Sequence, residues 1–428
     1  MSRTRSEIAS GATAAAASRL PARLVLFLFL PFAGGYFLSY LYRSINAVIA
    51  PNLAADVGIS AADLGFLTSV YFLTFAVMQL PVGLALDRFG PRRVGSALLL
   101  LAALGALLFA LAEGLSGLVL GRALIGAGVS ACLMSSFKAF ALWFPPQRLP
   151  TVNGALLAVG GLGAISATAP VEWLLGSFDW RTLFLGLATL TALVALWIFA
   201  AVPEHEAESS RQGLGDQLAG LRRVFRDPLF WRLAPLAALC VGCSQAVFGL
   251  WAGPWLRDVV GFDRAQVANH LLLTACATTT GFLLMGALTE RLTRLGVRPV
   301  PLIGIAMGGF TIIMLVLASG MVPASAVWLL LLLFGFIGTS GAVNYALLSQ
   351  HFGSQLAGRA NTALNLLIFI ASFLTQWGLG VVIGIWEDPL TQHYAPVGYR
   401  VAFGGIVGLQ LLALYWFFGP GRRLAGSP

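Results

Sequence analysis

Gly83-Leu-Ala-Leu-Asp87-Arg88-Phe-Gly90-Pro-Arg92-Arg93 is a short charged turn between two long apolar runs, and the chain contains it twice. The second copy is Gly286-Ala-Leu-Thr-Glu290-Arg291-Leu-Thr-Arg294-Leu-Gly296-Val-Arg298. Glycine, acid and arginine recur at an offset of 203 residues, and the later glycine and arginine at 206. Two parts of the chain therefore follow one plan. Outward from these turns lie apolar runs of the length that crosses a bilayer, since a ~30 Å hydrocarbon core takes about 20 helical residues. Twelve are expected, at 23–50, 62–84, 93–112, 116–144, 149–174, 180–202, 231–253, 266–288, 299–320, 325–349, 359–385 and 398–419. The repeat divides them into a six-helix half at 23–202 and another at 231–420, with a polar linker at 203–230. Residues 1–22 and 421–428 read as tails, the first of them disordered.

Composition agrees. Hydrophobic residues make up 58% of the 428 and charged residues 10%, against roughly 25% charged in a soluble domain. The formal charge of +9 comes with no basic stripe interleaved with aromatics, so nucleic acid is not expected as a partner. In a membrane protein such an excess reports topology. Nineteen arginines fall in the N-terminal tail, the even-numbered gaps, the linker and the C-terminal tail, and 4 (Arg181, Arg257, Arg264 and Arg400) in the odd-numbered gaps. Both termini are thus expected in the cytoplasm and the protein in the inner membrane, surrounded by lipid. The first apolar run is too long for a cleaved signal. Cys132, Cys240, Cys243 and Cys276 lie in apolar helices, where neither a disulfide framework nor a zinc site is expected. Within the linker, Leu214, Leu218, Leu221 and Phe225 oppose Arg222, Arg223 and Arg226 at helical spacing, the pattern of a helix on the membrane surface.

The turn at 83–93 resembles the signature loop of the major facilitator superfamily, G-x-x-x-D-R-x-G-x-R-R, and the resemblance extends over nearly the whole chain. It implies an all-α integral membrane fold of twelve transmembrane helices in two six-helix repeats. It also implies alternating access, without enzymatic activity, metal or cofactor, and with one chain as the working unit. In that scheme Gly83, Asp87, Arg88, Gly90, Arg92 and Arg93, with Glu290 and Arg291 in the second copy, form the cytoplasmic gate. Asp87 would accept helix N-terminal amides and pair with arginines across it. Arg122-x-x-x-Gly126-x-Gly128 resembles a second superfamily motif, whose arginine is thought to influence proton coupling. Tyr40-Leu-Tyr-Arg43, Leu80-Pro81-Val-Gly83 and Trp143-Phe144-Pro145-Pro-Gln-Arg148 are similar to the anion:cation symporter branch, whose members move organic anions. That branch commonly uses an arginine at the Arg43 position and often a basic residue before the W-F-P, as Lys138 is here. One departure matters: Tyr42 stands where many members have aspartate.

Three basic residues lie within spans: Arg43, Arg122 and Lys138. Charge at membrane depth marks function by default. The Arg43 fork suits a carboxylate or phosphate, and Tyr36 and Tyr40 share its face. From the second half Gln245, Asn344, Tyr345 and Gln376 lie well inside spans and join the candidate substrate site, although each equally suits an interhelical hydrogen bond. Lys138, the sole lysine, sits roughly 12 Å inward of its helix centre and Arg43 about 9 Å outward of its own. One small anion cannot touch both, so Lys138 is a candidate for the inner gate or the path, with snorkelling as the alternative. No acid lies near the middle of a span. Glu172 is the only carboxylate available for proton coupling, with His270 weaker still, and coupling by anion exchange, by Lys138 or by substrate-borne protons stays open. The glycines of helix five (Gly154, Gly160, Gly161, Gly163) suit close packing better than phosphate binding, and Ala169-Pro170 replaces the Gly-Pro pair of many drug exporters. The leading expectation is uptake of a small organic anion. The alternatives are export of drugs or metabolites and a non-transporting membrane sensor.

Overall fold

The computed structural model describes residues 22–145, 148–203, 214–296, 298–387 and 394–424. The disordered tail expected at 1–22 and the first part of the linker lie outside them, Ala22 apart. The described chain is helical throughout, save one isolated bridge between Glu387 and Tyr394. Eleven continuous segments are long and apolar enough to cross a membrane. The longest, Ala61–Leu111, bends at Gly90, where φ is 76° and ψ 165°. That glycine divides it into helices two and three, making twelve. A side chain is disfavoured at positive φ, and Pro91 then opens helix three, where its missing N–H costs nothing. Gly296, the equivalent glycine of the second copy, has φ 87°. The repeat read from the sequence is thus also a repeat in backbone conformation.

Six helices precede the linker helix Leu214–Val224, and six follow it. Leu221 and Val224 are buried while Arg222 and Arg223 are exposed, as the amphipathic pattern requires. Large apolar side chains such as Leu193, Ile305 and Leu412 are more than half exposed. In water so large an apolar surface would drive association; in hydrocarbon it faces a solvent of its own kind.

The first helix runs past its expected end at residue 50 to Val57, because Pro51 is accommodated within it and Gly58 closes it with φ 67°. Ser60 and Asp63 then form a capping box that starts helix two. Every third span is irregular near its middle. Helix one is interrupted at Ile45, helix four between Val129 and Cys132, helix seven by a π-turn at Val247–Trp251, and helix ten by a 3-10 turn at Thr339–Ala342. Breaks at membrane depth leave backbone groups that hydrocarbon cannot satisfy, so they are tolerated where the helix lines protein or a polar cavity. Three of these helices, one, seven and ten, carry the polar candidates Arg43, Gln245, Asn344 and Tyr345, and helix four carries Arg122 and Lys138.

Glycines set the closest packing. A Cβ on Gly121 of helix four would lie 2.8 Å from the Gly105 carbonyl and the Phe109 amide of helix three. On helix five, Gly160 faces the Tyr36 and Tyr40 rings, Gly163 the Phe37 backbone, and Gly161 meets Thr279 of helix eight. The glycines of helix five are therefore a packing surface, three of the four serving contacts with helices one and eight.

Candidate functional site

Arg43 projects from helix one just before the interruption at Ile45. Its guanidinium carbon lies 4.7 Å from the Tyr40 ring centroid, 5.5 Å from Phe75, 5.4 Å from Phe369 and 6.0 Å from Tyr71. Arginine over an aromatic face gains about 0.5–2 kcal/mol per contact, more when water is excluded. Such faces hold the cation without removing its charge. The Nε of Arg43 is buried and has no hydrogen-bond partner among the described residues. Tyr36 packs edge-on to Tyr40 with ring centroids 5.1 Å apart, and Tyr345 of the second half lies within electrostatic reach of both Tyr40 and Arg43. The geometry therefore assembles Arg43, Tyr36, Tyr40 and Tyr345 in one place.

Below this cluster the two halves touch. Phe75 of helix two stacks on Phe369 of helix eleven with centroids 4.2 Å apart. A polar relay accompanies the stack: the Tyr345 hydroxyl donates to Asn365 Oδ1 at 2.8 Å, and Asn365 Nδ2 reaches Gln79 Oε1 at 3.4 Å. Sequence reading missed Tyr71, Phe75, Gln79, Asn365 and Phe369. The aromatics carry no signal that separates them from lipid-facing rings. Gln79 and Asn365 were detectable as amides in apolar helices, but they lie near the inner ends of their spans.

Gln245, Asn344 and Gln376 are placed differently. Gln376 is fully buried with neither amide atom partnered, and its backbone carbonyl accepts the Trp251 indole N–H at 3.0 Å. Asn344, also fully buried, donates to the Gly341 carbonyl at 3.0 Å and leaves Oδ1 unpaired; Gln245 leaves Oε1 unpaired. Buried polar atoms are seldom left so, and three amides within helices seven, ten and eleven share the condition. No hydrogen bond joins them to Arg43 among the described residues.

Arg122 is fully buried, with its guanidinium carbon 5.2 Å from the centroid of the same Tyr71 ring. One nitrogen donates to the Tyr42 carbonyl at 3.0 Å; Nε and the second terminal nitrogen have no partner. The Tyr42 hydroxyl is turned to Thr191 at 2.8 Å. Two guanidinium groups thus lie near one tyrosine ring.

At the inner end Lys138 does not reach outward to headgroups. Its ammonium donates to Asp87 Oδ1 at 2.6 Å and to the Leu86 carbonyl at 3.0 Å. Asp87 was expected to pair with arginines across the gate; it pairs instead with a cation of its own half. Arg92 donates to the Phe199 carbonyl at 2.7 Å and covers that ring, and Arg88 covers Phe89. Gly83 is open on its Cβ side, while Arg93 and Arg291 are exposed. The side chain of Glu290 lies outside the described residues.

The outer seam is closed by contacts between the halves. Glu172 pairs with Arg264 at 2.9 Å, Arg264 also reaches Asn52, and Glu387 approaches the Ala61 amide at 3.4 Å. A Cβ on Gly253 would come within 2.6 Å of the Ala47 carbonyl. Glu172 therefore sits in an ion pair at the outer mouth, away from Arg43. Among the described residues no group of three or more histidines, cysteines, aspartates or glutamates is arranged to hold a metal.

This architecture has relatives. A probable sulfoacetate transporter of Cupriavidus necator is 26% identical over 385 residues, covering 85% of this chain and 89% of the relative. The hexuronate transporter of Escherichia coli is 25% identical over 404 residues, covering 88% and 90%. A bacterial homolog of the human lysosomal transporter Spinster, solved in an inward-facing and occupied conformation, superposes with a TM-score of 0.73 at 17% identity, over 92% of this chain and 96% of that one. The model of the Major Facilitator Superfamily matches residues 32–376. With twelve apolar helices among the described residues and the duplicated turn, the chain belongs to the Major Facilitator Superfamily and is a multi-pass membrane transporter.

Proposed function

We propose that this transporter carries a small organic anion across the cytoplasmic membrane by alternating access, with both termini in the cytoplasm and inward transport as its working direction. The observation that carries this reading is Arg43: a guanidinium between the two halves, walled by four aromatic rings, with a buried Nε that no protein acceptor satisfies. A carboxylate fits such a fork, and burial strengthens the pair by excluding water. The Tyr36 and Tyr40 hydroxyls would hold the polar body of the substrate and Tyr345 would close on it, while Gln245, Asn344 and Gln376 offer amides from the second half. The relatives support the same chemistry, since sulfoacetate and the hexuronates are small carboxylates. Asp87, Lys138 and the arginines of the duplicated turn would form the inner gate, and Glu172 with Arg264 the outer latch. An exporter of apolar drugs has no use for an unneutralised guanidinium at the centre.

The reading is tested by binding. Galacturonate or sulfoacetate raises the unfolding temperature of the purified protein in detergent, and an uncharged hexose of the same size does not. Equal stabilisation by the hexose would remove the anion from the account.

A further inference from the structure

Among the described residues the central cations have no internal counter-charge. The described aspartates and glutamates of the transmembrane halves all sit at helix ends or in connections. Those nearest a span interior are already engaged: Asp87 by Lys138, Glu172 by Arg264, and Asp258 by Arg257 and the Tyr399 hydroxyl. His270 lies on the exposed outer part of helix eight, with Nδ1 2.7 Å from the Gln266 carbonyl. The groups facing Arg43 are the phenols Tyr36, Tyr40, Tyr71 and Tyr345 and the Cys132 thiol, with no carboxylate among them. Arg122 adds a second buried cation on the same ring system, again without a carboxylate.

This arrangement bears on how the cycle closes. To reorient, a carrier passes through a state in which its centre is shut from water on both sides. With an anion on Arg43 the buried charges cancel. With the site empty the guanidinium must cross that state with rings and phenols around it but no counter-charge, and a charge without a counter-charge in a low-dielectric interior is costly. A proton-coupled carrier escapes the difficulty with an acid beside the arginine, which pairs with it in the empty state and is protonated in the loaded one. No described side chain here can do that.

We infer that the protein is an obligatory anion exchanger, in which each anion entering is matched by one leaving on the same arginine. The inference rests on the organic-anion reading and adds to it a second ligand class, an intracellular small anion that serves as counter-substrate. Exchange of equal charges moves no net charge and no proton, so neither a membrane potential nor a pH gradient drives it.

The test uses the full chain in vesicles of phosphatidylethanolamine and phosphatidylglycerol, with labelled galacturonate and labelled sulfoacetate outside. Uptake into vesicles preloaded with the same unlabelled anion is expected to exceed uptake into anion-free vesicles at least about tenfold, the factor that ~1.4 kcal/mol on the return step produces. A proton gradient or a potassium diffusion potential is expected to leave both rates unchanged. Uptake into anion-free vesicles that accelerates with an inward proton gradient or a positive interior overturns the exchange proposal and leaves the anion reading standing. Absence of movement for both probes in both arms overturns the anion reading and the exchange proposal with it.

Discussion

Arg43, Arg122 and Lys138 are three cations in apolar helices, and each meets its charge differently. Lys138 has a carboxylate; its side chain is 32% exposed and that of Asp87 39%. So wet a pair contributes about 1 kcal/mol at most. A double-mutant cycle of Lys138→Ala and Asp87→Asn, read by chemical unfolding in detergent, is therefore expected to give a coupling of roughly 0.2–1 kcal/mol. Strictly additive losses would show that the two side chains do not sense each other. Arg122 has only a carbonyl and a ring face, and Arg43 has rings alone for its Nε side. The sequence located all three cations, because charge in an apolar run cannot be hidden. It did not reveal the partner of Lys138, which lies 51 positions away along the chain. Pairing of that kind depends on which faces of helices two and four meet. Of the rings around Arg43 only Tyr40 was legible, from its spacing on the same helix; Tyr71, Phe75 and Phe369 were not, because an aromatic residue facing a cation and one facing lipid are the same letter.

Elements show the opposite balance. Twelve spans, the inner turn and its copy, and the amphipathic linker helix were all readable, since periodicity and length are physical requirements of a bilayer. The interruptions in helices one, four, seven and ten were not. Each is a departure of a few residues from α geometry inside an otherwise apolar run, and glycine in an apolar helix signals close packing as often as a break. Close packing makes its own demand on helices three and four. Gly121→Ala would bring a Cβ within 2.8 Å of backbone atoms on helix three, which only a shift of the helix can relieve. Overpacking of this type costs about 1–3 kcal/mol. The variant is expected to unfold at a visibly lower temperature while Gly83→Ala, whose Cβ would meet open space, stays close to the parent. Equal behaviour of the two would show that helices three and four are not held by that contact.

At the scale of the whole molecule, the described inter-half contacts named above run from the outer seam through the midplane to the Asn365–Gln79 hydrogen bond further along helices two and eleven. Glu172 meets Arg264 and Gly253 abuts Ala47 at the outer side, while Phe75 stacks on Phe369 near the centre. Asp87, by contrast, is satisfied within its own half. Which state a chain rests in is set by small differences between sums of such contacts, and sequence patterning carries no record of those sums. The function argued above needs one anion to sit on one arginine as the halves rock about it. The most direct measurement is uptake of labelled galacturonate and sulfoacetate by substrate-loaded vesicles containing either the parent protein or Arg43→Gln, with equal unfolding temperatures as the control for folding. Losing a charge-assisted pair worth about 1.5–3 kcal/mol predicts a fall in transport of at least about tenfold for both anions. Transport of either anion by Arg43→Gln at the parental rate would contradict the account.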